Sequence, residues 1–330
     1  MEQNTAKHNT KLLLHSLRAS EYLSLCADTL TIPNAQSLQY MIYADLHSHT
    51  TASDGSLPPS ILVQRAFEKG IKVLAVTDHD TIAGVQEAQA AALERHLCCI
   101  SGIEISSSLY QEELHILGYG INIHNSALAE YTHIIRRYRH SRVEHILAWL
   151  YRNHHIRLTI DDVQAIAGTN AVLGRHHIAA ALCQHGIVDS RREAFTRYLS
   201  DSTLLRHTQT VYPAEEAIAL IHHAGGVAIL AHPSEHLHSD SFTTLLRLGI
   251  DGLEVYHPSH CRSTCILYTA LAKQYKLLIT GGSDFHGSTS RDTRNLGRYG
   301  LTKPDFQAFL SLYMEKKLTH CVQRTNNPKA

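Results

Sequence analysis

A chain of 330 residues, 44% hydrophobic and 18% charged, is long enough for a large α/β domain with an insertion, and its composition excludes a disordered or fibrous protein. Lys plus Arg balance Asp plus Glu at 30 each, so no global field draws the chain to nucleic acid, and a polyanionic substrate has to be held by local charge. The apolar runs at 71–76 and 227–231 fall far short of the roughly 18 residues of a membrane span; seven cysteines without CxxC pairing and no secretory pattern at the start predict free thiols in a reducing cytoplasm.

Residues 1–40 are polar, with one amphipathic stretch at 12–25, and carry none of the motifs below. Met41 directly precedes the first strong strand, so this extension is expected to be dispensable or to reflect an early start codon. From residue 42 short apolar runs alternate with helical stretches, the sign of βα units and a largely parallel sheet. The pattern predicts strands at 42–46, 71–76, 99–105 and 114–118, and helices at 58–69, opened by Pro58 and closed by Gly70, and at 82–96. Between about 122 and 223 the strand signal gives way to helical stretches rich in Arg and His, which predicts a helical insertion. The βα rhythm returns with strands at 226–231, 252–255 and 277–280 and a last helix after Pro304. The expected division is an extension (1–40), a first part of the barrel (41–121), the insertion (122–223) and a second part (224–330).

The 26 histidines fall partly into spaced sets. Asp45-Leu46-His47-Ser48-His49 closes the first strand, and strand alternation puts His47 and His49 on one side. Asp54 follows in a Ser-Asp-Gly turn. The second strand ends in Thr77-Asp78-His79-Asp80, the third carries Glu104, the fourth begins with Glu113-Leu114-His115, and after the insertion come Ala231-His232-Pro233 and Gly282-Ser283-Asp284-Phe285-His286-Gly287. Each group adjoins an apolar strand, mostly at its carboxyl end, where catalytic residues collect in barrels. Mixed imidazole and carboxylate donors suit Mn, Zn or Fe, and the absence of cysteine argues against a closed structural zinc site. Taken singly the residues have plainer readings. Asp78 and Asp80 could cap the following helix, and capping is the expectation for Asp80; Asp54 could be an ordinary turn residue.

In their order, DLHSHT, SDG, TDHD, GIEIS, ELHILGYG, AHP and GSDFHG resemble the PHP (polymerase and histidinol phosphatase) superfamily over about 43–120 and 212–300. The insertion and the Gly174-Arg175-His176-His177-Ile178 segment look like the branch that includes ribonuclease AM, which acts on RNA 5′ ends and on 3′,5′-bisphosphonucleotides. The resemblance implies an α/β fold, a distorted (β/α)7-type barrel with two or three divalent ions, held by His47, His49, Asp54, His79, Glu104, His115, His232, Asp284 and His286. It departs at His176, where the branch often has Pro. Glu104, Asp284 and His232 are the catalytic candidates, the first two as bridges between ions. The expected chemistry is in-line attack by a metal-held hydroxide on a phosphoester, with the leaving oxygen stabilised by an ion or protonated by a nearby His.

Arg175 could grip a second phosphate, or be a solvated residue at a helix start. His257 and His260 could line the pocket or stand at its rim. His133, His140, His145, His154 and His155 have helical spacing and are expected on a solvated face. The expected substrate is a small nucleotide or a short RNA; no protein partner, membrane or sequence-specific DNA binding is predicted, since no basic reading helix or aromatic stacking motif is present. Two other readings are a histidinol phosphate phosphatase, whose family usually lacks the insertion, and a non-catalytic metal-stabilised binding module, against which the intact donor set argues.

Overall fold

The short apolar runs become the staves of one barrel. In the computed structural model, residues 41–110, 112–168, 171–200, 204, 212–233, 237–287 and 289–326 are described; the extension over 1–40, with its amphipathic stretch, lies outside them. Seven strands lie edge to edge in chain order: β1 (Ala44–Asp45), β2 (Val73–Val76), β3 (Cys98–Leu109), β4 (Glu112–Tyr119), β5 (Val227–Leu230), β6 (Gly252–Tyr256) and β7 (Leu278–Gly281). Leu46 N donates to Gly281 O at 3.1 Å and Ser48 bridges Phe285, so β1 and β7 nearly close the ring.

The sheet departs from the expected parallel order at β4, which runs antiparallel to both β3 and β5. Only two residues separate β3 from β4, a hairpin length, whereas a parallel crossover needs about a dozen. The reversal has a functional consequence. His115, near the start of β4, comes to the same end of the barrel as the carboxyl ends of the parallel strands.

Alternation along the strands sorts the core into layers. Val73 and Ala75 pack with Leu117, Tyr119, Val227 and Ile229 in one cluster, while Leu74 and Val76 pack with Leu62, Val63 and Ala66 of α1 (Pro59–Glu68) and Ala88, Ala91 and Ala92 of α2 (Val85–Glu94). The first cluster fills the barrel and is plugged at the amino ends of the strands by α11 (Lys303–Asn326), whose Phe309 meets Tyr119 edge-on at 6.4 Å. Phe306, Phe309 and Tyr313 stack along that helix at 5.8 and 5.6 Å.

After β4 the chain enters α3 (Ser126–His154), capped by the Asn125 side chain on Leu128 N and 29 residues long, about 43 Å. The first half of α3 gives Leu128, Tyr131 and Ile135 to the barrel's outer core; the second gives Val143, Ile146, Leu147 and Leu150 to a separate core with α4 (Ile160–Ala167), α5 (Arg175–Gln184), α6 (Arg191–Ala194) and a π-helical turn (Phe195–Leu199). Helix α7 (Ala214–His223) returns to the barrel through Ala217, Ile218 and Ile221, and α8 (Ser239–Leu248), α9 (Arg262–Gln274) and α10 (Ser290–Asn295) complete the helices. The histidines at 133, 140, 145, 154 and 155 are exposed, as their spacing predicts.

Asp80 is not a helix cap. It is fully buried and accepts from Ser106 N (2.8 Å), Tyr131 Oη (2.6 Å) and Arg139 Nε (2.6 Å), so a partner 59 residues away, which no local pattern announces, outcompetes the adjacent helix end.

Truncating the plug tests this packing. Phe309→Ala should destabilise the protein by about 3 kcal/mol or more, the cost of a cavity at a site that cannot collapse. Urea unfolding would measure it; a loss under about 1 kcal/mol would mean that α11 is not part of the barrel core.

Candidate metal centre

The chain is bent into the site by contacts that only certain residues permit. A Cβ on Gly282 would collide with the backbone of His47, and one on Gly55 with the His49 carbonyl, so the two loops can press against the β1 segment only as glycine. His232 (φ 24°) and Asp284 (φ 49°) adopt the left-handed region without being glycine, local strain of the kind that collects at functional sites. Buried carboxylates brace the loops. Asp78 accepts from Thr50 N (2.7 Å), Thr50 Oγ1 (2.7 Å) and Ser53 Oγ (2.6 Å), fixing the turn that carries Asp54 rather than capping a helix. Asp45 accepts from Ser283 N at 2.9 Å, tying β1 to the Asp284 loop; burial pushes its pKa up to about 7, against those amide contacts.

Glu104 is the hub. Its Oε2 lies 3.2 Å from His47 Nε2, 3.2 Å from His49 Nε2 and 3.0 Å from His79 Nδ1; its Oε1 lies 2.9 Å from His115 Nδ1 and 3.0 Å from His232 Nε2. Asp284 Oδ1 is 3.3 Å from His47 Nε2 and 3.1 Å from His49 Nε2, and Asp54 Oδ1 is 3.3 Å from His286 Nε2. All nine positions singled out in the sequence therefore meet at one end of the barrel. The donor atoms of seven of them form three overlapping groups, His49-Asp54-His79-His286, His47-His49-Glu104 and His79-Glu104-His115, each within 4.8 Å, and His232 and Asp284 join through Glu104, His47 and His49.

This chemistry fits cations. His47 Nε2, His49 Nδ1, Asp54 Oδ1, His79 Nδ1, Glu104 Oε2 and His286 Nε2 are buried and make no hydrogen bond, although oppositely charged partners lie close by. Buried polar atoms are normally satisfied, so six orphaned donor atoms aimed at a common centre are the mark of ligands rather than of a packed core. Burial disfavours charge on all of them, yet the carboxyls of Asp54, Glu104 and Asp284 stay well below the usual range because imidazoles surround them. Burial likewise opposes protonation of His286, but Asp54 and Asp284 outweigh it and raise its pKa to about 10. Around His79 burial prevails over Glu104 and Asp54, and its pKa falls well below the ordinary value.

One residue at the centre escaped the sequence reading. Glu254 is fully buried, holds His47 Nδ1 at 3.0 Å and accepts from His232 N at 2.8 Å; the carboxylate fixes the imidazole so that Nε2 faces the cluster. Its signal was a lone carboxylate within the apolar strand Gly-Leu-Glu-Val-Tyr. His257 also reaches the cluster, with Nε2 3.3 Å from Asp284 Oδ2, whereas His260 turns away and spans the Val255 and Pro233 carbonyls at 2.9 and 3.0 Å.

Glu113, His115, His232, Leu237 and Arg175 line a cleft of about 540 Å3 beside the centre. Arg175 opens α5, its guanidinium 6.0 Å over the Phe195 ring and 3.5 Å from Leu199 O. The next residue, His176, places its ring 5.7 Å from that of His286, so the position where the sequence departs from its apparent branch stands directly beside the cluster.

Comparison with known proteins agrees with this geometry. The PHP domain family matches residues 45–228. The 5′-3′ exoribonuclease Rnm of Escherichia coli is 34% identical over 75% of this chain and 86% of its own length. The 3′,5′-nucleoside bisphosphate phosphatase of Chromobacterium violaceum is 33% identical over 76% and 90%. Among solved structures, a Bifidobacterium adolescentis protein assigned as a metal-dependent phosphoesterase superposes with a TM-score of 0.75 at 30% identity, covering 82% of this chain and 96% of its own. The chain belongs to the PHP domain family and is a metal-dependent phosphoesterase.

Proposed function

We propose that the protein hydrolyses phosphoesters of small nucleotides, 3′,5′-bisphosphonucleotides and AMP-like nucleotides, and shortens RNA from its 5′ end, as a cytoplasmic enzyme with two or three divalent ions of Mn, Zn or Fe. The observation that carries this reading is the set of six orphaned, buried donor atoms converging beside a cleft that also presents Arg175. His47, His49, Asp54, His79, Glu104, His115, His232, Asp284 and His286 are the ligands in this reading.

When bound, divalent ions supply an acidified water and neutralise charge on the phosphoryl oxygens. The protein's part is arrangement. Glu104 and Asp284 each direct their two oxygens at different imidazoles and would be the carboxylates that hold the ions together with those imidazoles. Glu254 holds His47 in the tautomer that leaves Nε2 available. His257, hydrogen-bonded to Ser259 Oγ at 2.7 Å and next to Asp284, is placed to contact a phosphoryl oxygen. The helical segment over 122–223 serves as the insertion that brings Arg175 over the cleft, where a guanidinium can take a second phosphate bidentately. A phosphatase and a 5′ exonuclease then share one site, since they differ only in the leaving group.

Wild type supplied with Mn should hydrolyse 3′-phosphoadenosine 5′-phosphate or a short 5′-phosphorylated RNA in preference to histidinol phosphate, and chelation should abolish turnover. Asp284→Ala should lower kcat/KM at least about 100-fold, a larger effect than losing an outer hydrogen-bond partner of a ligand. Turnover of histidinol phosphate alone would replace the nucleotide reading, and no metal-dependent turnover on any of these would leave a binding role.

Arg175→Ala should reduce kcat/KM for the bisphosphate by about tenfold to a hundredfold, the worth of a charge-assisted contact, while sparing a simple aryl phosphate. Equal losses on both substrates would place Arg175 outside second-phosphate recognition.

A further inference from the structure

At the amino ends of β5 and β6, the end of the barrel opposite the centre described above, three side chains from three elements meet. His222 belongs to the last turn of α7, Asp251 to the residue before β6, and His320 to α11. Asp251 is only 2% exposed. Its Oδ2 lies 2.7 Å from His222 Nε2 and its Oδ1 3.0 Å from His320 Nε2, and the centroids of the two rings lie 4.0 Å apart with their planes tilted by 30°. The carboxylate is oriented from behind, since Ala228 N donates to Oδ2 at 2.9 Å while Asp251 N donates to Ala228 O at 2.7 Å. A cavity of about 800 Å3 reaches Asp251 and His320 from solvent.

We propose that His222, Asp251 and His320 form a second divalent-cation site, of the borderline kind that takes Zn2+, which fastens α11 to the barrel and is separate from the phosphoesterase centre. Two imidazoles and one carboxylate, with a backbone amide holding the carboxylate and an open side for water, make a donor set typical of zinc. One donor atom from each residue lies within 4.8 Å of the others. Tetrahedral ligands at 2.0–2.1 Å from an ion are about 3.3 Å apart, and the two imidazole–carboxylate contacts, 2.7 and 3.0 Å to the two oxygens of Asp251, are already close to that spacing. Although burial opposes it, the two imidazoles hold the Asp251 carboxyl well below its usual range, so the ligand is already anionic. The competing cation is Lys316, one turn before His320, whose Nζ lies 3.5 Å from Asp251 Oδ1. A bound ion displaces that ammonium, and Lys316 therefore sets the affinity.

The test counts Zn2+ on the full-length protein. After loading and gel filtration, wild type should carry one equivalent more than His320→Ala, with phosphoester turnover the same in both. Lys316→Met should keep the stoichiometry and tighten the weakest Zn2+ equivalent by about tenfold in a chelator competition, since a like charge near the ion is removed. Equal stoichiometry in wild type and His320→Ala overturns the proposal and leaves the triad as a hydrogen-bonded staple. Should His320→Ala fail to fold, Lys316→Met decides: unchanged affinity of every equivalent overturns it. Turnover reports separately on the phosphoesterase reading, so the two can fail independently.

Discussion

A carboxylate without a sliver of solvent contact, Glu104, is the constraint from which the rest of this active end follows. An isolated ion of that kind costs several kcal/mol to bury, and the cost is met only where positive charge and hydrogen-bond donors are pressed around it. Five imidazoles do this, drawn from the β1 segment, the end of β2, the start of β4 and the loop after β5. The strands must then converge so that side chains far apart in sequence meet at one point, and β4 must run backwards for His115 to be among them. Glu104 thus requires both the barrel and its one irregular strand.

A second ring of carboxylates keeps the first in place. Asp45, Asp78 and Glu254 are each fully buried, and each holds a loop or an imidazole of the centre. Their hydrogen bonds go to backbone amides and hydroxyls of neighbouring loops, so the geometry of the centre is set by strand-end backbone as much as by the donors themselves. Such a cluster balances cost against cost. Charged groups are desolvated together, and loss of any one leaves its neighbours uncompensated.

The donor residues were legible in the sequence because each adjoins a short apolar run and the runs recur with a βα rhythm, so that strand ends and histidines could be located together. Strand alternation alone put His47 and His49 on one side, and both do reach Glu104 Oε2. What stayed hidden has a physical reason in each case. The direction of β4 depends on a two-residue connection, and periodicity has no sense of direction. Asp80 read as a local cap because Arg139 and Tyr131, its real partners, lie on a helix more than 50 residues away. The His222-Asp251-His320 triad takes one residue from each of three elements, so it has no spacing to recognise.

The same distance in sequence explains how the helical segment and the barrel act as one site. Helix α3 is shared, its first half packed on the barrel and its second half in a separate core, and a side chain from the middle of the helix makes the junction rigid. Arg139 donates to Asp80 next to His79 and to Ser106 Oγ at 2.7 Å, two residues beyond Glu104. Both acceptors are buried, and a buried ion pair of this kind resists displacement because breaking it strands a charge. Movement of the helical core relative to the barrel would have to pass through that pair. Arg175 is built into this second core at the start of α5, yet it borders a cleft whose other wall is His115 and His232. The register between the donor cluster and the cleft wall that carries Arg175 is therefore held by the Asp80–Arg139 contact, which makes this pair, remote from the cluster's centre, part of what fixes the distance between Glu104 and Arg175.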